Sequence, residues 1–253
     1  MLPVAAFHYR GLLMPREPPR VDFPHPEFTR PAQEHHDDIT QFLLSQPLAP
    51  VSITFTAAQT LHLKKQCVPS LKCTSFEVLA WHVGRAWIWA LDLPAALRVK
   101  LLFSVNVRRR MRPELPGGYY GNAFVLACAE ASVAELTASG ARYGIGLVQA
   151  AKEVVDDCHV RSVVDLLELR RGWPDLSASL VISSWTKLGL EEVDFGVGLP
   201  LHMGTVASEI YCFFLQLVGD LHGYTMLVSV AQAVADKFGR LCAIEDLVDR
   251  EIN

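Results

Sequence analysis

Strand-like and helix-like segments alternate from residue 51 onward, and sequence-coded helix caps mark several of the boundaries, which restricts the chain to layered α/β folds. Val51, Ile53 and Phe55 alternate with Ser52 and Thr54, as a half-buried strand requires. Thr56 and Gln59 follow at once with capping-box spacing, in which the hydroxyl accepts from a free first-turn amide and the Gln side chain reaches back. The same spacing recurs at Thr74 with Glu77 and at Ser132 with Glu135. Behind Thr74, Phe76, Leu79, Val83, Ala86, Trp87 and Ala90 recur at helical intervals, and such a stripe has to face a core. Val99, Leu101, Phe103, Val105 and Val107 alternate as a strand, whereas the unbroken apolar run Ala123 to Ala129 predicts a strand covered on both faces. Further helices are expected over about 142–157 and 161–170, then a short strand over 180–184. Strands over 210–215 and 224–230 should pair through the turn Gly219-Asp220-Leu221-His222-Gly223, with a closing helix over 231–241. The expected architecture is α/β, a mixed sheet flanked by helices.

Residues 15–50 break this pattern. Six of the fifteen prolines fall between Pro15 and Pro31, among charged residues and with no hydrophobic period, so the segment reads as a linker. Residues 1–14 carry no cap or period and form a divergent amino-terminal segment, leaving 51–253 as the folded domain. A net charge of -4 gives no global attraction for nucleic acid or an anionic membrane. The first ten residues are too short and interrupted for a secretory signal, and no apolar run approaches the ~18 residues needed to span a bilayer. The cytosol is the expected location. Six cysteines without a Cys-x-x-Cys pair read as reduced, mostly buried thiols. Four adjacent side chains, His35-His36-Asp37-Asp38, cannot converge on one ion, so no metal site is expected.

Near the carboxyl end, Ser183-Ser184-Trp185-Thr186-Lys187-Leu188 precedes Asp194-Phe195-Gly196-Val197-Gly198. This pair of segments resembles a signature of the BAHD acyltransferases, plant enzymes that move an acyl group from a coenzyme A thioester to an alcohol or amine. Their signature reads Asp-Phe-Gly-Trp-Gly. Their other signature, a histidine with an aspartate four residues on, supplies the general base. None of the nine histidines here fits it, because the residue four positions later is Leu12, Thr29, Ile39, Thr40, Gln66, Ala86, Val163, Val206 or Met226. The similarity runs from about Pro15 to about Arg240. Within the family it points to members that use hydroxycinnamoyl-CoA with long-chain alcohols or ω-hydroxy fatty acids, through Val160 to Asp165 and Ser208 to Cys212. It implies a chloramphenicol-acetyltransferase-like second domain, residues 15–50 being the crossover between domains and about 194–203 crossing back to a first domain, hence exposed here. It also implies acyl-CoA as co-substrate with no permanently bound cofactor, small-molecule partners rather than nucleic acid, and a monomer.

The resemblance assigns roles to particular residues. Ser75, Ser183 and Ser184 stand where relatives approach the coenzyme A arm, and Trp185 stands in the acceptor pocket. Asn122, in Tyr119-Tyr120-Gly121-Asn122, either ends a tight turn or holds pantetheine amides. The cluster Arg108, Arg109, Arg110 and Arg112 is open to three readings: a solvated loop, a phosphate-binding fork in which Arg109 takes the coenzyme, or a structural ion pair between Arg108 and Asp194. The ion pair is preferred, the other arginines being mostly exposed. Asp194, Phe195, Gly196 and Gly198 form the structural motif, whose glycines suit a bend of close approach. The chain departs from the family at Asn106, Gly84, Lys187 and Val197. Two readings follow: the donor-side part of an O-acyltransferase, inactive alone for want of its histidine, or a truncated non-catalytic remnant that binds acyl-CoA or a protein partner.

Overall fold

Each of the three capping boxes starts a helix in the computed structural model, which describes residues 5–30, 45–67, 71–205, 209 and 211–244. The order is β1 (Leu48–Phe55), α1 (Ala57–Lys65), α2 (Ser75–Leu91), β2 (Arg98–Asn106), β3 (Phe124–Ser132), α3 (Val133–Ala138), α4 (Ala141–Val154), α5 (Asp157–Arg170), β4 (Ser179–Ser184), β5 (Tyr211–Leu217), β6 (Asp220–Ala231) and α6 (Ala235–Cys242). Six strands form one mixed sheet in the order β1-β6-β5-β4-β2-β3, with β2, β4 and β5 parallel and the other pairs antiparallel. This is the expected sheet flanked by helices.

Helix α2 carries the core. Leu79, Val83, Ala86 and Ala90 are buried, and Phe76 meets Phe103 and Phe214 with ring centroids 5.5 and 6.1 Å apart. Its cap residue Glu77 is itself buried, accepting from Gln149 at 2.9 Å and pairing with Lys152 of α4. Burial alone would raise the Glu77 carboxyl, but Lys152 and the cap amide offset it and hold the carboxyl below its usual value. Beside α2 a cavity of about 30 Å³ is lined by Trp81, Gly84, Trp87, Leu101 and Gly144. It lies beside Gly84, where the resemblance implies a tryptophan.

Two expectations are corrected. Strand β3 is fully covered on one face only: it is an edge strand whose burial alternates, from exposed Phe124 and buried Val125 onward, with Leu126, Cys128 and Glu130 half-buried. Phe124, Leu126 and Cys128 on its less buried face complete an apolar run that imitates a doubly buried strand. The β5–β6 turn is tighter than expected, since Leu217 pairs with Asp220 and only Val218 and Gly219 lie between, with an irregularity at Gln216 and Leu217. The linker, though without regular structure apart from short 3-10 turns, docks on the folded domain over 16–29, with Arg20, Val21 and Asp22 exposed and His25 and Glu27 buried. Arg16 donates from its backbone and Nε to the Asp165 carboxylate of α5 at 2.7 and 2.6 Å, and Lys100 donates to the Thr29 carbonyl and to Asp175. Residues 35–38 and Ile210 lie outside the described residues. Among the described residues no helix is long and apolar enough to cross a membrane. All six cysteines are free thiols, and burial pushes Cys128 and Cys242 up to about 12.

Candidate functional site

The residues singled out in the sequence fall into three places. At the carboxyl end of β2, the Arg108 amide donates to Asn106 Oδ1 at 3.0 Å and its guanidinium Nη2 donates to the Gly121 carbonyl at 2.6 Å. Arg108 therefore holds the Tyr119–Asn122 turn. The expected ion pair with Asp194 is not formed, because each partner is satisfied within its own loop. Arg108, Tyr119, Tyr120, Gly121 and Asn122 line an open, polar hollow of about 650 Å³. Arg109 is exposed beyond it. Arg110 is not a free surface charge as expected: its Nη1 donates to the carbonyls of Lys152 and Val155 at 2.7 and 2.6 Å, capping the end of α4. Arg112 is exposed, its amide donating to Asp157 at 2.8 Å. The chain's first described residues brace this turn, with the Phe7 amide donating to the Gly118 carbonyl at 2.7 Å and the Tyr120 amide to the Phe7 carbonyl at 2.8 Å.

Asn122 also borders a second, apolar pocket of about 540 Å³ between β3 and α5. Its walls include Phe28, Phe124, Val163, Leu167, Trp173 and Tyr211, with Glu27 and Arg171 among the polar groups at its margin. The contrast suits an amphipathic ligand, because an apolar wall gains from burial while a few polar groups fix orientation. Of the residues predicted from sequence, only Asn122 lies on this pocket. Its aromatic and α5 residues carry no local signal of pocket membership; they meet only when β3 takes the edge of the sheet.

The second group lies at the end of β4. Strand alternation sends Ser183 and Ser184 to opposite faces. Ser183 Oγ is 3.4 Å from Ser104 Oγ, whereas Ser184, in register with Phe214, lies on the face packed by α2 and is 3.0 Å from Thr186 Oγ1. Trp185 packs edge-on against Phe213 at 4.9 Å, and its amide donates to the Phe214 carbonyl at 2.8 Å. Ser75 opens α2, half-buried. The structure does not gather these four residues into one pocket with Asn122.

The third group is a loop. Asp194 Oδ1 accepts from the amides of Gly196, Val197 and Gly198 at 2.7, 3.1 and 3.0 Å, and these bonds hold the carboxyl below its usual value. Gly196 and Gly198 have φ of 91° and 108°, a region costly for residues with a Cβ. No atom lies within 4 Å of a Cβ built at either one, so backbone conformation, not the close approach expected, explains the two glycines. Phe195 and Val197 are 90% and 94% exposed. The aspartate and glycines shape the loop by themselves and present its apolar side chains outward.

Sequence reasoning passed over one buried cluster. His25, in the linker, offers Nδ1 to Glu27 Oε1 at 3.0 Å and Nε2 to Ser162 Oγ at 2.7 Å, and its ring centroid lies 4.8 Å from that of His159. No spacing rule links positions so far apart. His82 is also buried, 2.8 Å from the Cys242 carbonyl, and burial holds its pKa below the usual value, which keeps it a neutral structural group.

Comparison with known proteins agrees with this architecture. The model of the Transferase family matches residues 4–222. A fatty alcohol:caffeoyl-CoA acyltransferase of Arabidopsis thaliana is 36% identical over 234 residues, covering 90% of this chain and 53% of that protein. An omega-hydroxypalmitate O-feruloyl transferase of the same plant is 34% identical over 207 residues, covering 79% and 45%. The chain thus spans about half the length of these curated relatives. Among solved structures, vinorine synthase superposes with a TM-score of 0.61 at 19% identity over 75% of this chain and 46% of that one. TRI101 of F. graminearum, in complex with coenzyme A and T-2 mycotoxin, superposes with a TM-score of 0.66 at 15% identity over 94% and 57%. With its fold, its Ser-Ser-Trp and Asp-Phe-Gly segments and these relatives, the chain belongs to the Transferase family of BAHD acyltransferases.

Proposed function

We propose that this chain is the donor-side part of an O-acyltransferase that passes a hydroxycinnamoyl group from coenzyme A to a long-chain alcohol or ω-hydroxy fatty acid. The observation that carries the reading is the 36% identity, over 90% of the chain, to a fatty alcohol:caffeoyl-CoA acyltransferase. The apolar pocket beside Asn122 supports it, because an aromatic acyl group gains from such walls while the thioester arm needs a polar margin. In this reading Asn122 hydrogen-bonds pantetheine amides, and exposed Arg109 meets the coenzyme's phosphates. Ser75, Ser183 and Ser184 follow the coenzyme arm, and Trp185 borders the acceptor. Arg108 and the Asp194, Phe195, Gly196 and Gly198 loop are structural.

The chemistry is removal of the acceptor hydroxyl proton, attack of the oxygen on the thioester carbonyl, and departure of the coenzyme thiolate. No histidine of this chain is followed four residues later by aspartate, so the proton acceptor comes from outside these residues. Residues 51–253 then form the second lobe, and the exposed loop at 194–203 meets the lobe that carries the base. We place the protein in the cytosol as a monomer acting on small molecules. The second reading, a non-catalytic remnant that binds acyl-CoA or a protein, is favoured by the same missing motif and by Val197 in place of tryptophan.

Titration of the purified chain with feruloyl-CoA, followed by tryptophan fluorescence, tests the acyl-CoA site that the first reading requires. Saturable binding that weakens about tenfold in Asn122→Ala, roughly the value of one lost polar contact, is expected. Product assays with a long-chain alcohol should show no transfer by the chain alone. Absence of binding refutes the transferase reading and leaves of the second only a remnant that binds a protein, and turnover that survives substitution of every histidine refutes the mechanism.

A further inference from the structure

We propose that His25, Glu27 and His159 form a binding site for a divalent transition-metal ion, zinc by their donor set, which clasps linker segment 16–29 onto α5. The three side chains are 1%, 2% and 5% exposed, and one donor atom from each lies within 4.8 Å of the others. Two features of the cluster ask for a cation. His159 Nδ1 is buried with no hydrogen-bond partner, although nearly all buried polar atoms in proteins have one. The Glu27 carboxylate is buried with the His25 ring as its hydrogen-bond partner, while the neighbouring cations are engaged elsewhere, Lys100 with Asp175 and Arg16 with Asp165 and Asp22.

The surroundings resemble an outer shell. Ser162 Oγ sits 2.7 Å from His25 Nε2 and accepts from the Asp22 amide at 2.9 Å, so the ring orientation is fixed from behind. The His159 amide donates to Asp156 Oδ1 at 2.8 Å, anchoring the other histidine at the start of α5. Two imidazoles and one carboxylate suit zinc, whereas calcium and magnesium prefer oxygen donors alone. Donors in a tetrahedral zinc site lie about 3.4 Å apart, given bonds of about 2.1 Å, so side-chain rotation of about 1 Å closes the cluster. When the ion takes the Nδ1 lone pair of His25, the ring proton sits on Nε2 and is donated to Ser162 Oγ. Glu27 also borders the apolar pocket, which gives the ion a path inward and leaves room for water as a fourth ligand.

The test is zinc titration of the chelator-treated, desalted full chain against a chromophoric competitor, with cobalt substitution read by visible absorption and melting followed in parallel. One ion per chain, a cobalt spectrum of tetrahedral nitrogen and oxygen ligation, and a higher melting temperature with zinc are expected. Binding should be lost in His159→Gln and in Glu27→Gln and be about tenfold weaker in Ser162→Ala, while surface variant His62→Gln should bind as the parent does. His159→Gln removes a ring nitrogen that makes no hydrogen bond in the structure, so it keeps the test informative if Glu27→Gln fails to fold. No zinc binding at micromolar ion, binding unchanged in His159→Gln, or a thiolate charge-transfer band with cobalt overturns the proposal. None of these outcomes depends on acyl-CoA binding.

Discussion

Filling the cavity beside α2 at Gly84 should stabilise the protein, whereas the same change across the cavity at Gly144 should harm it. A Cβ at Gly84 would meet only Leu101, at 3.6 Å to Cδ1 and 3.8 Å to Cδ2, which is ordinary contact. Gly84→Ala then gains about 1 kcal/mol from helix propensity and about 0.8 kcal/mol from burying a methyl group. A Cβ at Gly144 would lie 2.1 Å from Trp81 Cε3 and 2.3 Å from Cζ3, and Trp81 is packed in the core. Moving that ring costs about 1–3 kcal/mol by overpacking, more than the propensity gained near the start of α4. In a domain of this size 1 kcal/mol corresponds to about 2–4 °C in melting temperature. Thermal melts and urea titrations followed by circular dichroism should therefore show Gly84→Ala higher by about 4–7 °C and Gly144→Ala lower by a few degrees. A destabilised Gly84→Ala, or a Gly144→Ala as stable as the parent, refutes the packing argument. The first outcome would mean that the site beside Gly84 has no room for the added methyl group.

Asp165→Asn should destabilise the chain by about 2 kcal/mol at neutral pH, because the amide group faces the Arg16 and Arg20 donors that the carboxylate accepts. Burial by itself raises the Asp165 carboxyl, but those donors outweigh it and hold the native value below the usual one, so the contribution is complete above the unfolded value of about 3.9 and fades as pH falls through the native one. Urea titrations should show the gap between parent and variant narrowing toward acid, and a constant gap would contradict this account. Thiol titration of the native chain at pH 7.5 should find Cys158, which is exposed, reacting first, and Cys128, Cys212 and Cys242 reacting only on unfolding. Fast labelling of Cys212 without unfolding would show that the β5–α6 core opens locally.

Local signals carried the elements well. Thr56, Thr74 and Ser132 cap helices because capping-box chemistry is complete within four residues, and the Phe76 to Ala90 stripe marks α2 because its period is a property of the helix itself. The same reasoning misjudged β3, since Phe124, Leu126 and Cys128 do not say whether a second layer lies outside them. Arg108 and Asp194 look like partners in the sequence, yet Arg108 reaches the Gly121 carbonyl and Asp194 closes on its own loop. A cation and an anion specify an attraction but not which of several nearby acceptors and donors wins.

The amino-acid sequence alone determined the alternation of strands and helices, their caps, the family signature and the absence of its histidine–aspartate spacing. Tertiary structure decided which strand became an edge, which face of β4 each serine took, how Asn122 came to border an apolar pocket, and that His25 and Glu27 meet His159. The division has a physical cause. Caps and periods are settled by energies between residues a few positions apart, whereas pockets and buried clusters depend on chain closure across more than a hundred residues, where sheet order and packing choose among many locally acceptable pairings.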